Sequence, residues 1–148
     1  MTPKNKDYTL WVEAALDVIG GKWKLLVVLA LRDGTQRYSG IARKLPGISE
    51  RVLVKQLREL ERDGIITRTV YAVVPPKVEY SLTLSGKKLI PVLRILSFWC
   101  ANSVGRDVVG EGPSQAVWDD PARLRLLLDE LDTMRRGIDK KLKRLEVK

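Results

Sequence analysis

The side chains best equipped for chemistry fall in one stretch: Ser49, Glu50, Arg51, Val54, Lys55 and Arg58. Positions 51, 54, 55 and 58 follow the three- and four-residue spacing that lines one side of a helix. Hydroxyl, guanidinium and ammonium groups so arranged suit nucleic acid better than a reaction. Ser49 and Arg51 can hydrogen-bond base edges, Val54 can touch a thymine methyl, and Lys55 or Arg58 can reach guanine or a flanking phosphate. Glu50 can accept from a cytosine amine, or simply favour a helix N-terminus. Upstream, Arg37 and Ser39 are expected on phosphates; downstream, Arg68 adds a phosphate contact and Lys77 reaches the adjacent groove or backbone.

Other chemistries are poorly supplied. The chain has no histidine, which removes imidazole as general base, proton shuttle or metal ligand. One cysteine, Cys100, makes neither an intrachain disulfide nor a thiolate metal site, a count suited to a reducing cytosol; a small buried apolar residue is its ordinary role. Ser85 and Lys88 have the spacing of a serine–lysine nucleophile, but Ser85 opens a predicted helix and reads as an N-terminal turn. With no Walker loop or dinucleotide glycine motif, neither an enzyme nor a cofactor is expected.

Charge points the same way. Of 148 residues, 27 are Lys or Arg and 18 are Asp or Glu, a net charge of +9; the first 104 hold 17 of the basic and 9 of the acidic residues. A polyanion is the natural partner, double-stranded DNA ahead of an anionic membrane surface. The polar segment at residues 1–7 leads into no apolar run, and no stretch approaches 18 uncharged apolar residues, so a cytoplasmic protein with no membrane role is expected.

The elements that must position these residues follow from periodicity and breakers. Val12, Ala15, Leu16 and Ile19 predict a short helix stopped by Gly20-Gly21, and residues 22–31, apolar nearly all round, a central buried one closed by Asp33-Gly34. Tyr38, Ile41, Ala42 and Leu45 mark a third helix, ended by Pro46-Gly47. Ser49 is a good N-cap for a fourth, in which Val52, Leu53, Gln56, Leu57 and Leu60 face inward until Asp63-Gly64. From residue 65 to 82 the period changes to two, predicting a hairpin with Pro75-Pro76 at its tip. Thr83 caps a helix over residues 84–103 with Pro91 inside it. Its stripes, Leu89, Leu93, Leu96 and Cys100 beside Val92, Ile95 and Trp99, are too broad for one small domain to cover. Residues 105–119 read as a linker in which Val108-Val109 can dock. A C-terminal amphipathic helix is expected over 120–148, with Leu124, Leu128, Leu131, Ile138, Leu142 and Leu145 in heptad steps that Arg135 interrupts.

This order is that of a winged helix-turn-helix, mainly α with a small β-hairpin, over residues 8–104. Within it, Val12 through Lys24 (VEAALDVIGGKWK), Pro46 through Leu53 (PGISERVL), Gln56 through Gly64 (QLRELERDG) and Pro75 through Thr83 (PPKVEYSLT) closely resemble the HxlR family of bacterial and archaeal transcriptional regulators. The resemblance implies a homodimer joined through the first and post-wing helices, with Trp11, Val12, Leu16, Val92, Ile95, Leu96 and Trp99 at the interface. It also implies that the Ser49 helix reads an inverted repeat. Members that sense oxidants or electrophiles do so through a cysteine just before the first helix; here Leu10-Trp11-Val12 stands in its place, so that thiol switch is missing.

Two further readings stand beside this. Tyr8, Trp11, Phe98 and Trp99 can line a pocket for an apolar small-molecule effector, or be packed interface. Alternatively the chain is a protein–protein adaptor, the winged helix a scaffold and the C-terminal helix its working surface.

Overall fold

The computed structural model describes residues 4–103 and 120–146. Its elements are α1 (Lys4–Ile19), α2 (Lys22–Ala30), β1 (Gln36–Arg37), α3 (Tyr38–Lys44), α4 (Glu50–Arg62), β2 (Ile66–Tyr71), β3 (Lys77–Leu82), α5 (Leu84–Ser103) and α6 (Pro121–Glu146). The chain divides into two units, residues 1–90 and 91–148.

In the first unit, the nearly all-apolar α2 forms the centre, as its sequence predicts. Val27 and Val28 are fully buried, joined by Ile41 of α3, Leu53, Leu57 and Leu60 of α4, and Ile66 of β2. Removing each such side chain from water is worth about 2 kcal/mol. Lys44 of α3 donates to the Ala30 carbonyl at 2.9 Å, satisfying one of the acceptors that the end of α2 leaves open. The α3–α4 turn needs φ of +89° at Gly47, and the turn after α4 needs +69° at Gly64, conformations where a Cβ is strained.

The hairpin is antiparallel, from Ile66 opposite Leu82 to Tyr71 opposite Lys77. It is not alone: β1 pairs with β3, Gln36 opposite Tyr80 and Arg37 opposite Glu79, making a three-stranded sheet of order β1-β3-β2. Two residues are too few to show a period of two, which is why the sequence predicts only a hairpin.

Thr83 ties this sheet to α5. Its N–H donates to the Ile65 carbonyl at 3.0 Å, and its hydroxyl to the Gly64 carbonyl at 2.7 Å. The same hydroxyl accepts from the Gly86 N–H at 3.1 Å, capping the helix as expected. Gly86 is the close approach that makes this possible: a Cβ there would lie 2.2 Å from the Ile65 carbonyl oxygen.

One boundary and one burial differ from expectation. Helix α1 starts at Lys4, eight residues before Val12, because nothing between them breaks a helix even though the apolar period is absent. Residue Lys24, inside the nearly all-apolar second helix, is buried with 6% of its surface exposed.

In the second unit α5 runs through Pro91, whose missing N–H forfeits one helical bond. Leu93 and Leu127 are buried, and Arg94 of α5 pairs with Glu130 of α6. Helix α6 opens where the sequence places it: the Asp120 carboxylate accepts from the Ala122 N–H at 2.9 Å, with Pro121 first in the helix. The expected linker at 105–119, including Val108-Val109, lies outside the described residues.

Candidate nucleic-acid interface

Helix α4 is capped at its start by Ser49, whose hydroxyl accepts from the Val52 N–H at 3.3 Å. The cap still leaves the hydroxyl proton free to donate outward. Glu50 follows in the first turn, where a carboxylate favours the helix dipole. The two faces then separate. Leu53, Leu57 and Leu60 are at most 2% exposed, whereas Arg51, Lys55 and Arg58 lie on the surface with Val54 half-buried among them.

These outward groups line a shallow open groove of about 840 Å³, walled by Ser49, Glu50, Arg51, Val54, Lys55, Arg58 and Glu59. Six of these residues are the ones that the sequence singles out. A second concavity, about 380 Å³, runs between α4 and the sheet and is lined by Val54, Leu57, Arg58, Glu61, Arg68 and Tyr80. The fold thus brings Arg58 and Arg68 to one cleft from separate elements. Neither they nor Arg51 form an ion pair among the described residues, which leaves the three guanidiniums open to an external anion. Lys55 has only a loose pairing with Glu59 at 3.8 Å.

Tyr80 and Glu61 escape the sequence reading. Tyr80 stands opposite Arg68 in the ladder, so the hairpin register could have found it; Glu61 needs the packing of α4 on β2. Tyr38, half-buried at the start of α3, is also missed. Burial first, then the charge of Glu50, holds its phenol above the ordinary value, so it remains a neutral hydrogen-bonding group.

Arg37 and Ser39 are both exposed, Arg37 as the residue that precedes α3 in extended conformation. Lys77, expected to reach the adjacent groove or backbone, is tied to its neighbours within the wing. Its ammonium sits 2.7 Å from the Glu79 carboxylate and 4.5 Å from the centre of the Tyr71 ring, with the side chain 32% exposed. Hydrogen bonds from Lys77 first, and from Tyr71 second, hold the Glu79 carboxyl below its ordinary range. Lys77 therefore serves the wing's own order.

Behind α4 lies a charge cluster with no counterpart in the sequence reading. The buried Lys24 ammonium donates to the Val18 carbonyl at 3.0 Å and lies 3.4 Å from Glu59 and 3.6 Å from Asp63. One hydrogen bond and two longer ion pairs surround the ammonium, which offsets the cost of taking the charge out of water. The signal was present: Glu59 and Asp63 are four residues apart on one side of α4.

The other sequence-predicted side chains divide by element. On α1, Trp11, Val12 and Leu16 are exposed, Trp11 at 77%. On α5, Val92, Leu96 and Trp99 are exposed, while Ile95, Phe98 and Cys100 are half-buried. The Tyr8 side chain lies outside the described residues. Among the described residues no group of three or more Asp, Glu or Cys side chains is placed to hold a metal ion, and no helix is long and apolar enough to cross a membrane.

A three-helix core, a capped helix with a cationic outer face and a hairpin wing define a winged helix-turn-helix protein of the DNA-binding, transcription-regulating kind. The chain belongs to the HxlR family: the family described as HxlR-like helix-turn-helix matches residues 18–108. The uncharacterized HTH-type transcriptional regulator YtcD of Bacillus subtilis (strain 168) is 48% identical over 103 residues, 70% of this chain and 82% of that protein. An uncharacterized HTH-type transcriptional regulator of Methanothermobacter thermautotrophicus is 52% identical over 93 residues, 63% of this chain and 71% of its own. Among solved structures, the redox regulator HypR in its oxidized form superposes with a TM-score of 0.57 at 50% identity, covering 60% of this chain and 92% of that one.

Proposed function

We propose that the protein binds an inverted-repeat operator as a homodimer, with the Ser49–Arg62 helix in the major groove and the hairpin wing on flanking DNA. The observation that carries this reading is the division of α4 into a leucine face sealed in the core and a face of Arg51, Val54, Lys55 and Arg58 around an open groove. A helix so held presents base-reading groups from its N-terminal half and phosphate-binding groups along its length. Arg68 supplies a phosphate contact beside Arg58, and Arg37 and Ser39 supply others from the start of α3. Exposed Trp11, Val12 and Leu16 on α1, and Val92, Leu96 and Trp99 on α5, supply apolar surface of the kind a second copy covers.

Replacing Arg51, Lys55 and Arg58 together by alanine tests the reading. Loss of duplex binding in an anisotropy titration, with the sedimentation coefficient unchanged, is the expected result. Equal affinity of the wild-type chain for a promoter duplex and its scrambled version at 150 mM salt would count against sequence-specific regulation.

A second reading, the adaptor, draws on α6, where Leu128, Ile138, Leu142 and Leu145 are each more than half exposed. It predicts a phenotype that survives the triple alanine change but fails when Leu128 and Leu131 are replaced.

A further inference from the structure

The cluster behind the recognition helix has an order that goes beyond holding α2 to α4. Lys24 is the one buried charged residue among the described residues. Each of its two carboxylate partners divides its oxygens. Glu59 turns Oε2 to Lys24 and Oε1 to Lys55, whose ammonium is 3.8 Å away; Asp63 turns Oδ2 to Lys24 and Oδ1 to the Arg62 guanidinium at 3.0 Å. The result is an alternating chain of charge, Lys55, Glu59, Lys24, Asp63, Arg62, with its cationic ends exposed and its middle inside the protein. The hydrogen bond to the Val18 carbonyl fixes the middle member to the last turn of α1.

Glu59 also lines the groove that Arg51, Lys55 and Arg58 define. A carboxylate there repels phosphate and draws Lys55 toward itself. We infer that Lys24 is a positioning residue for DNA binding: from inside the core it neutralises Glu59, which keeps Lys55 available to phosphate and the groove electropositive. The inference rests on the DNA-binding reading above. It assigns to a residue out of reach of any duplex a role in the strength of binding. Because half-buried charges are screened less than exposed ones, the interior ammonium competes effectively for Glu59 with the solvated Lys55.

The test uses the full-length chain and two probes: a random-sequence duplex, and the duplex that the wild type selects from a randomised pool. Each is titrated by fluorescence anisotropy over a range of salt, with thermal melts to confirm folding. Lys24→Met is expected to bind both probes about tenfold more weakly, and its log affinity to fall less steeply with log salt by ~0.9, the signature of one lost phosphate contact. Glu59→Gln is expected to restore affinity and slope in the Lys24→Met background and to change them more there than in the wild type, a coupling that a purely structural pair does not produce in the salt slope. Lys24→Arg is expected to bind as the wild type does. Lys24→Gln, which keeps a donor for the Val18 carbonyl without the charge, is expected to behave as Lys24→Met and takes its place if that variant does not fold. A folded neutral variant with wild-type affinity and slope, or a Glu59→Gln effect equal in both backgrounds, overturns the inference. If the wild type binds neither probe, the DNA-binding reading itself has failed.

Discussion

Arg51 and Arg58 sit one on each side of Val54 on the same helix, yet their loss is expected to read differently. Arg51, in the first turn, faces where base edges would lie, so Arg51→Ala is expected to lower selectivity for the preferred duplex by about 1–3 kcal/mol, measured by competition between duplexes. Arg58 shares its cleft with Arg68. Arg58→Ala is therefore expected to weaken all duplexes alike and to reduce the salt slope by ~0.9, with the melting temperature unchanged. Ser49→Ala removes the hydroxyl that accepts from Val52 and is expected to cost about 1 kcal/mol of stability in a chemical denaturation. At this scale the outward cations were legible because a helical period needs only the chain itself. Tyr80, Glu61 and Lys24 were missed because each acquires its role from another element, although the hairpin register marks Tyr80 and the spacing of Glu59 and Asp63 marks a place for a cation. The lysine itself, in an apolar run, gives no sign of whether it reaches solvent or a pair of half-buried carboxylates.

Helix α4 was readable to its cap and its end, because Ser49, the leucine spacing and Asp63-Gly64 all agree on the same limits. The wing was readable as a hairpin, but its third strand was not: β1 owes its existence to pairing with β3, a long-range contact that no local pattern encodes. Its Arg37 lies opposite Glu79, and adds to the depression of that carboxyl. This gives the wing an acid limit. A carboxyl depressed in the folded state stabilises the fold above its unfolded value, ordinarily 4.5, and the contribution is lost as pH falls through the lower folded value. The melting temperature of the wild type is thus expected to converge on that of Glu79→Gln as pH drops below about 4.5, and to exceed it at neutral pH. Agreement of the two curves at pH 7 would remove Glu79 from any part in wing stability.

Taken as a whole, the molecule exposes apolar surface on three helices, α1, α5 and α6. Trp99→Glu is expected to shift the sedimenting species toward a single copy, if α5 carries the association. In α6 a Cβ added at Gly137 meets nothing within 4 Å, so Gly137→Ala is expected to raise the stability of that helix by about 1 kcal/mol, read as increased helical signal at elevated temperature. The sequence announced both helices and left what covers them to the family resemblance, because a period identifies an apolar face and never its occupant.

The contrast between that glycine and Gly86, whose added carbon would collide with the Ile65 carbonyl, makes a ready-made calibration for any library of variants. A screen that keeps only binders is expected to return every helix-compatible amino acid at codon 137 and a single one at codon 86. The spread between those two columns gives the dynamic range against which enrichment at all other codons can be ranked.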